Sequence, residues 1–336
     1  MRVSSFNLPF FWAFSIFSAY LVGSRDSTIG SDTENYISIF SDYALGEELR
    51  FEIGFKLFVY IFHLFGLSVE WFFAAVFLVV FFCFVYVLHF AKPIRLYSDS
   101  VFFPFSIVSF IFLSDWFFVA VANSLRQGVA LALLYVSFVF YLKDKKIFFL
   151  VFLIFSCAFH NSVFIFIPFL FLFFFFEWAR VGLTFLVVAS ISFGCFFYYG
   201  LLEYLVFSAS NFMNLPLYQS ISEYAQHDPK WVGFDFYFYI YIVSFIVLPW
   251  VLSKLDLLFV DDILLSLLRY YTALSFVYYF YGFAAYSNRY AFFSWLFVPI
   301  VLYAVYCRLN FSLLLRQFFC IVLFLYSCFY FFSSFL

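Results

Sequence analysis

Apolar runs close to the 20 residues that cross a bilayer fill most of this chain, and short polar stretches separate them. The runs predict helices over 6–22, 69–91, 101–118, 127–142, 147–159, 163–176, 181–199, 234–252, 263–282, 290–306 and 317–335. A shorter apolar segment at 53–67 is a further candidate. There Glu52, Lys56, Tyr60 and His63 recur near i, i+4 spacing and form one polar stripe. This helix is expected to lie in the outer interface, with its stripe against the loop before it. Residues 147–176 admit one long helix, but two short ones with His160 at their turn keep both flanking basic loops on one side. The pattern predicts an all-α, polytopic integral membrane protein of about 11 transmembrane helices, give or take one or two. Short re-entrant or interfacial helices are expected, and a GT-C-like arrangement is among the expectations. Residues 1–336 read as a single transmembrane domain, with an outer loop at 23–52 and a long outer loop at 200–233.

Composition agrees with the pattern. Of 336 residues, 67% are hydrophobic and 11% charged, against about 25% charged in soluble proteins. No polar stretch is long enough for a soluble nucleotide-sugar domain. The 65 Phe read either as compositional drift or as an aromatic-lined groove for a sugar or isoprenoid. The six cysteines all fall in apolar runs and read as small hydrophobes. The N-terminal run reads as a retained first helix rather than a signal peptide, because no small-residue cleavage site follows.

Net charge is −2, but its distribution is more informative. The loops at 92–95, 143–146, 177–180, 253–256 and 307–316 carry most of the Lys and Arg. Placed in the cytoplasm, they send 23–52, 119–126, 160–162, 200–233 and 283–289 outside. All four polar islands then face outward: GSRDSTIGSDT (23–33), NSLRQ (123–127), HNS (160–162) and SNR (287–289). Ionisable residues at such depth are candidates for function.

Three islands open a helix. Asn and Ser are favoured N-caps, and free N–H groups at a helix start suit an anion. Arg126 or Arg289 there opposes the helix dipole, a conflict an anionic ligand removes. Two arginines at helix starts suit a diphosphate, which Arg grips with a bidentate fork. The plain alternatives are that Arg126 pairs with an acid such as Asp115 or Glu52, that Arg289 snorkels to headgroups, and that His160 is a polar turn residue. The first island offers Asp26, Asp32 and Glu34 near Arg25. One carboxylate is a candidate general base for a sugar hydroxyl, unless the stretch is only a solvated loop with a cap at Ser31 or Asp32. Asn211, Asn214, His227, Asp228, Tyr204, Tyr218, Tyr224 and Trp231 make 200–233 a candidate acceptor lid. No metal-ligand spacing, P-loop, dinucleotide fingerprint or nucleophile elbow is present, and no basic surface suits nucleic acid.

Across these residues the chain resembles the EpsG family of bacterial polysaccharide polymerases, which groups with Wzy-type O-antigen polymerases. The resemblance rests on ordered elements: Arg25, Gly30, Ser31, Asp32, Thr33 and Tyr36; Glu52, Gly54 and Phe55; Asn123, Arg126 and Gln127; Phe159, His160 and Ser162; Arg289 and Tyr290. It implies a glycosyltransferase of the bacterial inner membrane that works on the periplasmic side. Such an enzyme joins oligosaccharide repeat units carried on undecaprenyl diphosphate, without cofactor or metal, and a chain-length regulator is a further candidate partner. On this reading Arg126 and Arg289 hold the diphosphate, with Arg25, Asn123 and Gln127 also binding substrate. His160 assists the diphosphate or orients the acceptor, and Asp32, with Asp26 as rival, is the base. An O-antigen ligase, another lipid-phosphate glycosyltransferase, or a flippase for the same lipid-linked sugars are the competing readings.

Overall fold

A computed structural model describes residues 7–44, 51–93, 103–212, 233–284 and 286–335. Among them sixteen helices occur and no strand; two residues, Leu258 and Leu309, form an isolated antiparallel bridge. In chain order the helices are α1 Asn7–Gly23, α2 Thr33–Ala44, α3 Ile53–Leu64, α4 Val69–Ala91, α5 Phe103–Phe112, α6 Asp115–Ala122, α7 Leu125–Leu142, α8 Lys146–Phe159, α9 Val163–Trp178, α10 Leu183–Tyr198, α11 Leu201–Phe212, α12 Phe236–Lys254, α13 Asp262–Tyr281, α14 Ser287–Trp295, α15 Val298–Tyr306 and α16 Leu313–Ser333. Among the described residues six helices are long and apolar enough to cross a membrane, or up to eight if each bent helix pair counts as one span. That is the architecture of a polytopic membrane protein. It falls short of about 11 full spans because several apolar runs make helices of only 10–17 residues.

Local chemistry explains the departures. The run at 101–118 is expected as one helix, yet α5 and α6 meet at 76°. The Ser114 hydroxyl accepts from the Phe117 amide at 3.3 Å, which restarts the helix as an N-cap does. Hydropathy alone does not register that interruption. A second 76° bend, at Tyr199–Gly200, divides α10 from α11, so the expected long loop begins as a helix. Asn214, Tyr218, Tyr224, His227, Asp228 and Trp231 lie outside the described residues. The first loop also contains a helix, α2. The turn at His160–Ser162 divides α8 from α9, as expected for two short helices; His160 is extended, at φ −155° and ψ 123°.

The chain forms two compact units, residues 1–164 with 311–336, and residues 165–310. In the first, α1 and α4 run antiparallel: Gly23 meets Glu70 and Ala74, while Phe11 stacks on Phe81 with ring centres 5.8 Å apart. α7 and α8 form a hairpin, tied where the Ser156 hydroxyl donates to the Ala130 carbonyl at 2.6 Å. Some of the phenylalanines pack as a ring core. Phe112 stacks on Phe331 at 4.0 Å, joining α5 to α16, and Phe77 and Phe117 surround that pair. In the second unit α13 is the buried centre, with Tyr270, Tyr271, Tyr278 and Tyr279 enclosed. Arg269 pairs with Glu177 at 3.2 Å and donates to the Val181 carbonyl at 2.8 Å. Arg308 pairs with Asp261 at 2.8 Å.

Candidate active site

Within the first unit, the ordered polar elements come together. Arg25 follows α1 and is buried. Its guanidinium donates to the Val22 carbonyl at 3.0 Å, to the Val121 and Ala122 carbonyls at 3.4 and 3.5 Å, and to the Thr33 hydroxyl at 3.2 Å. It also lies 3.9 Å over the Phe73 ring. A cation thus sits on the C-terminal carbonyls of both α1 and α6, where the helix dipoles favour it. Burial pushes its pKa down to about 10, so it stays charged at neutral pH. Each of these contacts braces the chain.

Thr33 continues this brace, donating to the Ile29 carbonyl at 2.6 Å. Gly30 has φ +87°, and a Cβ there would meet the Asn123 Oδ1 at 2.5 Å and the Ala122 carbonyl at 2.9 Å. Only glycine permits both that backbone and that approach. The first island therefore docks directly against the second. Asn123 Oδ1 is buried with no hydrogen-bond partner.

Arg126 stands in the first turn of α7. Its Nη1 pairs with the Glu52 Oε2 at 2.6 Å, with side-chain exposures of 26% and 10%. Its guanidinium faces the Phe51 ring at 4.4 Å and the Phe55 ring at 5.9 Å. The buried Tyr36 phenol, from α2, bonds to the same arginine. The Arg126 Nε is buried with no hydrogen-bond partner. The pairing with Glu52, one of the alternatives open from sequence, is the one found. Burial pushes the Tyr36 phenol above its ordinary pKa, against the pull of Arg126.

Glu52 stands at the N-cap of α3, but its side chain does not cap that helix. Instead its Oε1 accepts from the Asn161 amide at 3.2 Å. Burial raises its pKa, yet its own backbone N–H, the Asn161 N–H and Arg126 together outweigh that and hold it below the usual range. The carboxylate thereby joins α3, α7 and the turn bearing His160. Gly54 allows the approach, since a Cβ there would lie 2.8 Å from the Ala158 carbonyl.

His160 ends α8, half-buried. Its Nδ1 accepts from the Ser162 amide at 3.1 Å and lies 2.6 Å from the Ser162 hydroxyl. An Nδ1 that accepts leaves the neutral ring protonated at Nε2, the form that donates toward an oxygen. Gln127 is buried in the first turn of α7.

The two candidate bases differ. Asp26 is exposed and closes a turn, accepting from the Thr28 amide at 2.9 Å and hydroxyl at 2.7 Å; these bonds lower its pKa. Asp32 is half-buried at the start of α2, where its carbonyl receives the Tyr36 amide at 3.0 Å. Its charge acts on the Tyr36 phenol, so it is the carboxylate nearer the Arg126 cluster in electrostatic terms. The stripe at 52–63 divides: Glu52 and His63 turn inward, with His63 stacked 4.1 Å from Phe40 of α2, while Lys56 and Tyr60 are exposed.

The capping expected of the islands is not made at two of them. Ser124 precedes α7 but makes no side-chain cap bond. SNR lies inside α14, whose N-cap is Tyr286 in the left-handed region at φ 55°. Arg289 is exposed, with its guanidinium 4.5 Å from the Tyr286 ring, and belongs to the second unit. Glu52 and Tyr36 were absent from the expected site residues. Their signal lay in the ordered elements themselves, each beside a glycine or an acidic residue of the same motif.

Neither a curated protein nor a solved structure matches this chain. The family model for the EpsG family matches residues 9–336, nearly the whole chain, and so the protein belongs to the EpsG family.

Proposed function

We propose that this protein is a polysaccharide polymerase that joins oligosaccharide repeat units carried on undecaprenyl diphosphate, at the periplasmic face of the bacterial inner membrane. The family points to polymerase activity of a glycosyltransferase kind. The observation that carries the finer reading is Arg126: a guanidinium fixed by Glu52, with its Nε buried and unpartnered.

In the reaction an acceptor hydroxyl oxygen bonds to the anomeric carbon of the donor glycan, and the bond from that carbon to the lipid diphosphate breaks. Asp32 takes the hydroxyl proton. Arg126 meets the charge that develops on the departing diphosphate. His160, protonated at Nε2, donates to the same oxygens. Glu52 and Tyr36 hold Arg126 in place, and Arg25 with Gly30 holds the first loop against the end of α6 and Asn123.

Arg126→Ala and His160→Ala should each abolish polymer while protein level is retained, read on a gel of surface polysaccharide. Full-length polymer from either variant overturns the assignment. Deletion of the gene should leave single repeat units at the surface. Loss of even one repeat points instead to a flippase or a ligase.

A further inference from the structure

Ser162, in the turn between α8 and α9, reaches the His160 ring twice. Its backbone amide lies 3.1 Å from the His160 Nδ1, and its hydroxyl oxygen lies 2.6 Å from the same atom. The amide decides where the protons are, because an N–H can only donate. Nδ1 must then be an unprotonated acceptor, and the hydroxyl beside it must be a second donor. The amide alone would serve a turn of any sequence. The hydroxyl is what residue 162 adds to it.

This wiring is the reverse of that of a histidine base. A base gives its Nδ1–H to a carboxylate or a carbonyl, which leaves Nε2 as the acceptor. Here two donors draw electron density toward Nδ1. Hydrogen bonds in a chain polarise one another, so the Ser162 hydroxyl strengthens Nε2–H as a donor. The carboxylate docked on this turn is engaged elsewhere: Glu52 meets the Asn161 amide with one oxygen and Arg126 with the other. Position is fixed along with polarity. Both donors come from the residue two places on, so Nδ1 faces the turn and Nε2, on the other edge of the ring, faces away from it. The turn itself is anchored, by the Asn161 amide on Glu52 and by Phe159, whose ring centre lies 5.9 Å from that of Phe58 of α3.

We infer that Ser162 is the positioning residue of His160: its hydroxyl, donating to Nδ1, fixes the ring as a donor through Nε2 and keeps it from acting as the base. This rests on the reading above in which His160 donates to the departing diphosphate. It gives the third residue of the HNS island a part in the reaction and leaves proton removal to a carboxylate.

The test uses the full chain in nanodiscs, with its histidine ring nitrogens isotope-labelled for magnetic resonance. Four histidines are present, and His160→Gln identifies the His160 resonances by their loss. In the wild type at neutral pH, Nδ1 should resonate as an unprotonated, hydrogen-bonded nitrogen and Nε2 as a protonated one. Ser162→Ala keeps the amide donor, so the tautomer should hold while the Nδ1 resonance moves toward that of a free unprotonated nitrogen. Its rate of polymer formation from lipid-linked repeat units should fall about fivefold, the worth of one neutral hydrogen bond. Ser162→Thr should restore both resonance and rate. A protonated Nδ1 in the wild type overturns the inference, as does an Nδ1 resonance or a rate that Ser162→Ala leaves unmoved. The resonances need no substrate, which separates this inference from the polymerase reading. A moved resonance in a chain whose wild type makes no polymer upholds the hold of Ser162 on His160 and overturns the polymerase reading. Polymer synthesis with an unmoved resonance does the reverse.

Discussion

Removing both members of the Arg126–Glu52 pair should harm stability less than the two single losses added together. The pair is short, 2.6 Å, and its carboxylate is only 10% exposed. Arg126→Ala leaves Glu52 charged among Phe51, Phe55 and the Asn161 amide, with its counter-ion gone. Losing one partner of a buried pair costs about 3–5 kcal/mol. Arg126 is 26% exposed, so water relieves part of this, and about 2–3 kcal/mol is the working figure. For a chain of this length each kcal/mol moves Tm by roughly 2 °C, so the single variant should melt about 4–6 °C lower. Glu52→Ala also removes the acceptor of the Asn161 amide. The double variant removes both charges, and the coupling between the sites should be about 1.5–3 kcal/mol.

The assay is a double-mutant cycle on purified protein in nanodiscs, with thermal unfolding as one readout and cellular polymer as the other. The double variant should regain stability relative to the sum of singles and still make no polymer, because the Arg126 guanidinium is gone. Additivity within about 0.5 kcal/mol would refute the argument that these groups act as a unit. The pH dependence follows from the lowered Glu52 pKa. A carboxylate with a depressed folded pKa stabilises above its unfolded value, about 4.3, and loses that contribution as pH falls through the folded value. The Tm gap between wild type and Glu52→Gln should therefore be constant near neutral pH and close only in acid below about 4.

Gly30→Ala should cost about 1–3 kcal/mol and reduce polymer, because its Cβ would collide with Asn123 and with the carbonyl end of α6; Tm and the polysaccharide gel check this. Gly54→Leu should separate α3 from α8 and lower polymer together with Tm, with polymer more affected, since Glu52 and Asn161 part. Asp32→Asn should abolish polymer at normal protein level, whereas Asp26→Asn should keep the full ladder, because asparagine also closes the turn at Thr28. The opposite ranking of those two variants on the gel would move the base assignment to Asp26.

The sequence reads best where the physics is local. The helix over 69–91 is found at those bounds, between Ser68 and the Lys92–Pro93 pair. It reads worst where one polar atom interrupts a hydrophobic run, as the Ser114 hydroxyl does between α5 and α6. α2 is hidden for a related reason: twelve residues with an acidic surround resemble a loop, although Tyr36 and Phe40 give it a buried face. The site shows the same division. Gly30, Arg126 and His160 are legible as types and order. The contact from Glu52 to Arg126 spans 74 residues and has no local signature. Arg25 is a harder case, since its contacts to the backbone carbonyls of Val22, Val121 and Ala122 leave no mark in a sequence.

Glu52 also alters the electrostatic case for the ligand. Arg126 at a helix start opposes the dipole, and from sequence alone an anionic substrate relieves that conflict. Glu52 already relieves it in the protein without substrate. The cluster in the first unit is then close to neutral, since Arg25 is committed to carbonyls and Asp32 adds a negative charge. A diphosphate ester brings about two more negative charges, and these cannot be balanced by a guanidinium whose charge Glu52 already offsets. The Nε of Arg126 still offers a directed hydrogen bond, and the Nε2–H of His160 another, but neither adds net positive charge at neutral pH. A second cation is therefore a requirement of charge balance. Arg126 then supplies geometry rather than net charge.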